Sequence, residues 1–92
     1  MKYRIVKTTR YRKELRKMLR RGKDIKKIGA VVRMLAMGET LPPQYHDHAP
    51  SGDLAGLRDC HIESDWVLLY SLEDDVLALT LTRTGTHSDL GL

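Results

Sequence analysis

Ninety-two residues, 10.5 kDa and a formal charge of +4 leave room for one domain over residues 1–92, with a small core. Charged residues make up 30% of the chain and no run nears the roughly 18 apolar residues of a membrane helix, which excludes a membrane span. The single cysteine, Cys60, excludes an internal disulfide and a multi-cysteine zinc site, and the charged start Met1-Lys2-Tyr3-Arg4 predicts no signal peptide and a cytoplasmic protein.

Residues 2–7 alternate and predict a short edge strand. Thr8 or Thr9 caps a first helix, whose apolar stripe is Tyr11, Leu15, Met18 and Leu19. Gly22 ends it and Asp24 starts a second helix, with Ile25, Ile28, Val31, Val32 and Leu35 expected on the buried face. Gly38 and Leu41-Pro42-Pro43 stop this helix. Residues 42–56, rich in Pro, Gly, His and Asp, predict a long loop of the kind that often carries function.

Three strands are expected next. In residues 57–62, Leu57, Asp59 and His61 share one face and Arg58, Cys60 and Ile62 the other. A tight turn near Glu63-Ser64 leads to the nearly continuous apolar run Trp66–Tyr70, a central strand. After the acidic turn Glu73-Asp74-Asp75, Val76–Arg83 reads as the last strand, with Leu77, Leu79 and Leu81 on one face, and Thr84–Leu92 as a tail. The order β-α-α-β-β-β predicts an α+β fold, a basic helical hairpin on one face of a mainly antiparallel sheet.

Charge is sharply segregated. Residues 1–46 hold fourteen Lys and Arg against three acids, while residues 47–92 hold two against nine. Such a division fits a polyanion on one surface and separate chemistry elsewhere, although a basic run is also what solvated helix faces look like. Aromatic residues make up only 5%, with no Phe, so an aromatic platform for stacking bases is not expected.

All four histidines follow the basic helices: His46 and His48 in the loop, His61 at a strand end between Asp59 and Asp65, and His87 in the tail. Two histidines at one phosphodiester provide a general base and a general acid near neutral pH. A neighbouring carboxylate raises and orients an imidazole, and Arg58 or Arg83 can clamp the phosphate. On RNA, the substrate's own 2′-hydroxyl is a sufficient nucleophile. The alternatives are ordinary surface polarity, foremost for His46, and ligation of a metal, although the spacing matches no standard zinc pattern. Cys60 reads as a small apolar core residue rather than a nucleophile, and Trp66 and Tyr70 as core.

Three segments together are specific. They are His48-x-x-x-Gly52, then Gly56-Leu57-Arg58-Asp59-Cys60-His61-Ile62-x-x-Asp65-Trp66-Val67-Leu68-Leu69-Tyr70, and Arg83-Thr84-Gly85-Thr86-His87-Ser88-Asp89-Leu90. This pattern resembles the YafQ-type toxins of the RelE superfamily over essentially the whole chain. The resemblance implies a fold like the small microbial ribonucleases. It also implies a messenger-RNA endonuclease of a bacterial type II toxin–antitoxin pair that acts in the ribosomal decoding site and inhibits translation. Carried over, His48, His61, Asp65 and His87 are catalytic and Asp59 positions them; Arg58 and Arg83 stay the substrate-binding candidates on their own chemistry, with Asp59 beside them. No metal or cofactor is implied. The implied partners are mRNA, the ribosome and its RNA, and a cognate antitoxin, with operator DNA reached only through that antitoxin. The family pattern has an aromatic residue four positions after the last histidine; here that position is Gly91. Two rivals follow from the same residues: a non-catalytic RNA- or ribosome-binding module, and a metal-dependent hydrolase.

Overall fold

The computed structural model describes residues 1–54 and 56–92; Ala55, within the predicted 42–56 loop, lies outside them. Strand β1 (Arg4–Lys7) leads into helices α1 (Thr9–Arg20) and α2 (Ile25–Ala36), then strands β2 (Arg58–Glu63), β3 (Trp66–Glu73) and β4 (Ala78–Gly85), and a closing turn of helix α3 (His87–Leu90). The helices start where capping chemistry permits. The Thr8 hydroxyl accepts from the Tyr11 amide and the Asp24 carboxylate from the Lys26 amide, each satisfying an amide with no partner inside its helix.

The sheet runs β1-β4-β3-β2. β2, β3 and β4 form an antiparallel meander, while β1 lies parallel to β4 at the far edge. Its position as an edge strand agrees with the alternation of residues 2–7. Parallel pairing requires a crossover, and the helical hairpin supplies it.

Alternation along the strands divides the apolar residues between two cores. Trp66, Leu68 and Tyr70 of β3 join Cys60, Ile62, Leu79 and Leu81 in the main core, packed on Tyr11, Met18, Ile28, Val31 and Leu35 of the helices. Val67 and Leu69 point the other way into a smaller core with Leu90, Leu57 and Leu54. The main core also satisfies its polar atoms. The Trp66 indole donates to Thr84 Oγ1 at 2.9 Å, which donates on to the Val67 carbonyl, and the Tyr70 hydroxyl donates to Asp47. Cys60 is buried there, and desolvation pushes its thiol far above the ordinary value, as expected of a packing residue rather than a nucleophile.

Four expectations are corrected. Ile25, assigned to the buried face, is 54% exposed, because it begins α2 beside the turn that joins the two helices. Leu77, assigned to the last strand, precedes β4. It closes the hairpin with φ of 50° and offers its carbonyl to the Arg4 amide of β1, so it serves the turn and not a strand face. The 42–56 segment holds two short 3-10 turns, Pro43–Tyr45 and Gly52–Leu54, and an isolated bridge between His48 and Asp59. The tail contains α3, closed by a capping box in which Thr86 and Asp89 each accept the other's amide.

Candidate active site

The functional side chains gather on the sheet face away from the helical hairpin. His61 shares the Val67 side of the β2–β3 ladder, and Asp59 the Leu69 side, so both emerge beside the smaller core. His48 reaches them because its amide donates to the Asp59 carbonyl (2.9 Å) and its carbonyl accepts from the Asp59 amide (2.8 Å), zipping the loop onto the free edge of β2. A two-residue turn carries Asp65, and α3 brings His87 back over the strand ends.

His61 is the hub. Its ring lies 5.0 Å from His87, 5.3 Å from His46 and 6.2 Å from His48, centroid to centroid. His48, Asp59, His61 and His87 line a cleft of about 510 Å³, with Leu92 as its apolar wall. His61 also lines a second concavity of about 410 Å³ with Gln44, Tyr45 and His46.

The hydrogen bonds distinguish the histidines. His87 Nδ1 lies 2.7 Å from Asp65 Oδ1, and its amide donates to the same oxygen at 2.8 Å. That amide, followed by the ring, holds the Asp65 carboxyl below its ordinary value. A carboxylate accepts, so Nδ1 carries the proton and the Nε2 edge is left for other partners. His48 Nδ1 lies 2.6 Å from the His46 carbonyl. A carbonyl also only accepts, so Nδ1 is again protonated, and in the neutral ring Nε2 is a free lone pair. That Nε2 is 3.8 Å from Asp59 Oδ2, beyond hydrogen-bond range. His61 has no carboxylate in hydrogen-bond range; Asp59 Oδ1 is 3.7 Å from its Nε2. Desolvation lowers its pKa, opposed by Asp59 and reinforced by the other histidines. The orientation of His61 by Asp65 considered in the sequence is therefore not made: Asp65 bonds His87.

Asp59 is the buried polar residue of the cleft. Its side chain is 6% exposed, and Oδ1 is the one fully buried side-chain polar atom without a partner among the described residues. An unpaired buried oxygen is costly, and such exceptions in native folds call for a reason.

Arg58 and Arg83 are otherwise engaged. Arg83 makes a fork to Glu14 of α1, with Nη2–Oε2 at 2.7 Å. Arg58 Nε lies 3.3 Å from Asp47. Two residues join the site without having been assigned a role in it. His46 stands in the left-handed conformation (φ 48°) after the Pro43–Tyr45 turn, and that backbone aims its carbonyl at His48; only its separation of two from His48 hinted at this. Asp89 caps α3 and binds Arg21 at 2.7 Å, anchoring the turn that carries His87 to the end of α1. Gly91 terminates α3 with φ of 71°, a conformation that favours glycine over an aromatic residue, and places Leu92 at the cleft.

The profile of the family described as the bacterial toxin of the type II toxin–antitoxin system, YafQ, matches residues 3–91. The chain belongs to the YafQ toxin family. The "mRNA interferase toxin YafQ" of Escherichia coli K12 is 38% identical over 81 residues, covering 87% of this chain and 86% of that protein. Among solved structures, the E. coli DinJ–YafQ complex superposes with a TM-score of 0.87 at 34% identity, over 96% of this chain and 97% of that one. A metal-bound toxin from Helicobacter pylori gives 0.90 at 34% identity, over 98% and 99%. These likenesses establish the family and the fold of this chain. Among the described residues no group of three or more His, Cys, Asp and Glu is arranged to hold a metal ion. No helix among them is long and apolar enough to cross a membrane.

Proposed function

We propose that this YafQ-family toxin is a messenger-RNA endonuclease that cuts on the ribosome, in the cytoplasm, using the substrate's own 2′-hydroxyl and no metal ion. The observation that carries this reading is the unequal anchoring of two histidines in one cleft. His48 leans on a carbonyl, which keeps a proton on Nδ1 and, in the neutral ring, leaves Nε2 a free lone pair. His87 leans on a carboxylate, which holds its Nδ1–H and turns Nε2 toward other partners. One is equipped to take a proton and the other to give one.

In this scheme His48 removes the 2′-hydroxyl proton as the oxygen attacks the adjacent phosphorus. The bond from phosphorus to the 5′-oxygen breaks, and His87 protonates the leaving oxygen. The products are a 2′,3′-cyclic phosphate and a 5′-hydroxyl. His61, in the middle, donates to a non-bridging oxygen; the approaching phosphate offsets the desolvation that lowers its pKa. Asp65 acts through His87. Asp59 attracts both His48 and His61 without bonding either. Arg58 and Arg83 serve by positioning, since Asp47 and Glu14 already hold them.

Exposed Arg12, Lys13, Arg16 and Arg20 of α1, none ion-paired among the described residues, supply the polyanion surface. Binding to RNA is then steeply salt-dependent. The same surface suits an antitoxin whose acidic segment folds on docking; any operator contact is made by that antitoxin.

A single 2′-deoxy nucleotide at the cut site tests the chemistry. On programmed ribosomes with EDTA present, the all-ribose message is cut and leaves a cyclic phosphate, while the deoxy message stays whole. Equal cutting of both refutes the 2′-hydroxyl route. Ribosome binding without any cut supports a non-catalytic module, and cutting only after a divalent ion is restored supports a metal hydrolase.

A further inference from the structure

The histidine cleft is the first of three concavities that share walls. His61 belongs both to the cleft and to the space lined by Gln44, Tyr45 and His46. Gln44, Tyr45 and Ile62 in turn belong to that space and to a third, also about 410 Å³, which opens onto Lys26 and Lys27 at the start of α2. A track of adjoining concavities thus runs from the candidate active site, past the Pro43–Tyr45 turn, to lysines.

Its chemistry changes along the way. Tyr45 packs against the main core and walls both outer spaces. Gln44 and His46 are exposed beside it. Glu63 also borders the track, but Lys23 and Lys27 bind it at 2.7 and 2.6 Å, so this group of three carries a net positive charge. Lys26 is exposed and has no ion-pair partner among the described residues.

We propose that this track is a nucleotide subsite: the RNA nucleotide neighbouring the scissile one seats against Tyr45, within reach of the Gln44 amide, and its phosphate is held by Lys26. This rests on the ribonuclease reading above. An aromatic wall accepts any base face, a carboxamide can read a base edge, and an ammonium neutralises a phosphate. The low aromatic content argued against an extended stacking platform; a single tyrosine beside the cleft provides a local one. An acidic protein segment would also find Lys26, but it has no use for a place beside the histidine cleft.

The test is single-turnover cleavage on programmed ribosomes, with abasic nucleotides placed singly on either side of the cut. Tyr45→Ala and Lys26→Glu each raise the half-saturating concentration roughly 5- to 100-fold, while the saturating rate moves less than about threefold. Tyr45→Phe behaves as wild type. One abasic position abolishes the difference between wild type and Tyr45→Ala. An equal Tyr45→Ala penalty on every abasic message, or a loss confined to the saturating rate, overturns the subsite. A second measurement is independent of cleavage: photocrosslinking of 5-iodouridine beside the cut site to the His87→Ala protein, with the peptide mapped by mass. Crosslinks within residues 44–46 support the track even if wild type proves inactive; crosslinks only elsewhere overturn it. Thermal melting of Tyr45→Ala, with exposed Gln44→Ala as the companion variant, separates lost binding from lost folding.

Discussion

On the helix-covered face of the sheet, Trp66, Leu68 and Tyr70 are buried, and the indole and phenol both find acceptors. On the opposite face, the neighbouring strand β2 places His61 among three other imidazoles and leaves one oxygen of Asp59 without a partner. Within the cleft the contacts are uneven: His87–Asp65 closes at 2.7 Å, and Asp59 stands apart from its neighbours. Arg83–Glu14 and Arg21–Asp89 close at 2.7 Å, whereas the contacts of Asp59 with His48 and His61 stay at 3.7–3.8 Å. Strand alternation lets one ladder build stability on one side and hold unsatisfied groups on the other. Satisfied polar atoms stabilise a fold; loosely held ones are free to exchange protons with a substrate.

Several substitutions break or sharpen this contrast. The largest effect is expected from Leu68→Ala. It empties a fully buried site and costs about 2–5 kcal/mol in urea unfolding, a large share of a small domain's stability. Its counterpart on the open face, His87→Ala, should unfold within about 0.5 kcal/mol of wild type. A loss as large as that of Leu68→Ala would erase the distinction between the faces.

Next comes Arg83. If Glu14 is its partner, Arg83→Ala and Glu14→Ala each cost roughly 1–2 kcal/mol, and the double variant costs little more than either. Slowed cleavage by Arg83→Ala, with Glu14→Ala unaffected, would return Arg83 to the phosphate. Asp59→Asn should change stability by no more than about 0.5 kcal/mol, because no hydrogen bond to Oδ1 is lost, while cleavage falls about tenfold as the charge facing His48 and His61 disappears. A marked stability loss at unchanged cleavage would make Asp59 a structural residue.

The smallest effect is a pH dependence. Folding lowers the pKa of His61 below its ordinary 6.5, chiefly by desolvation. The stability gained by keeping it neutral is complete above that value and is lost as pH falls through the lower folded one. Unfolding followed from about pH 8 to 5 should show wild type losing more stability than His61→Asn, with the difference confined below about pH 6.5. Parallel curves would contradict the shift.

Much of this was legible in the chain. Alternation in residues 57–62 assigned Asp59 and His61 to one face and Cys60 and Ile62 to the other, because a strand has only two sides. Thr8, Asp24 and Gly38 marked helix ends through local chemistry. What escaped was either short or distant. α3 is one turn, too brief for a helical period, although Thr86-x-x-Asp89 is a capping signal. The pairing of Arg83 with Glu14 spans 69 residues and left no local trace. His46 acts through a carbonyl, which a side chain does not announce. The convergence of His48, His61 and His87 was inferred from resemblance, and only the tertiary fold shows which carboxylate serves which ring.

The most direct test of the account compares wild type with His87→Ala in single-turnover mRNA cleavage on programmed ribosomes with EDTA, beside urea unfolding of the same two proteins. The account predicts a loss of at least about 10² in cleavage at nearly unchanged stability, with cyclic-phosphate ends from wild type. Unchanged cleavage by a folded His87→Ala protein would contradict it.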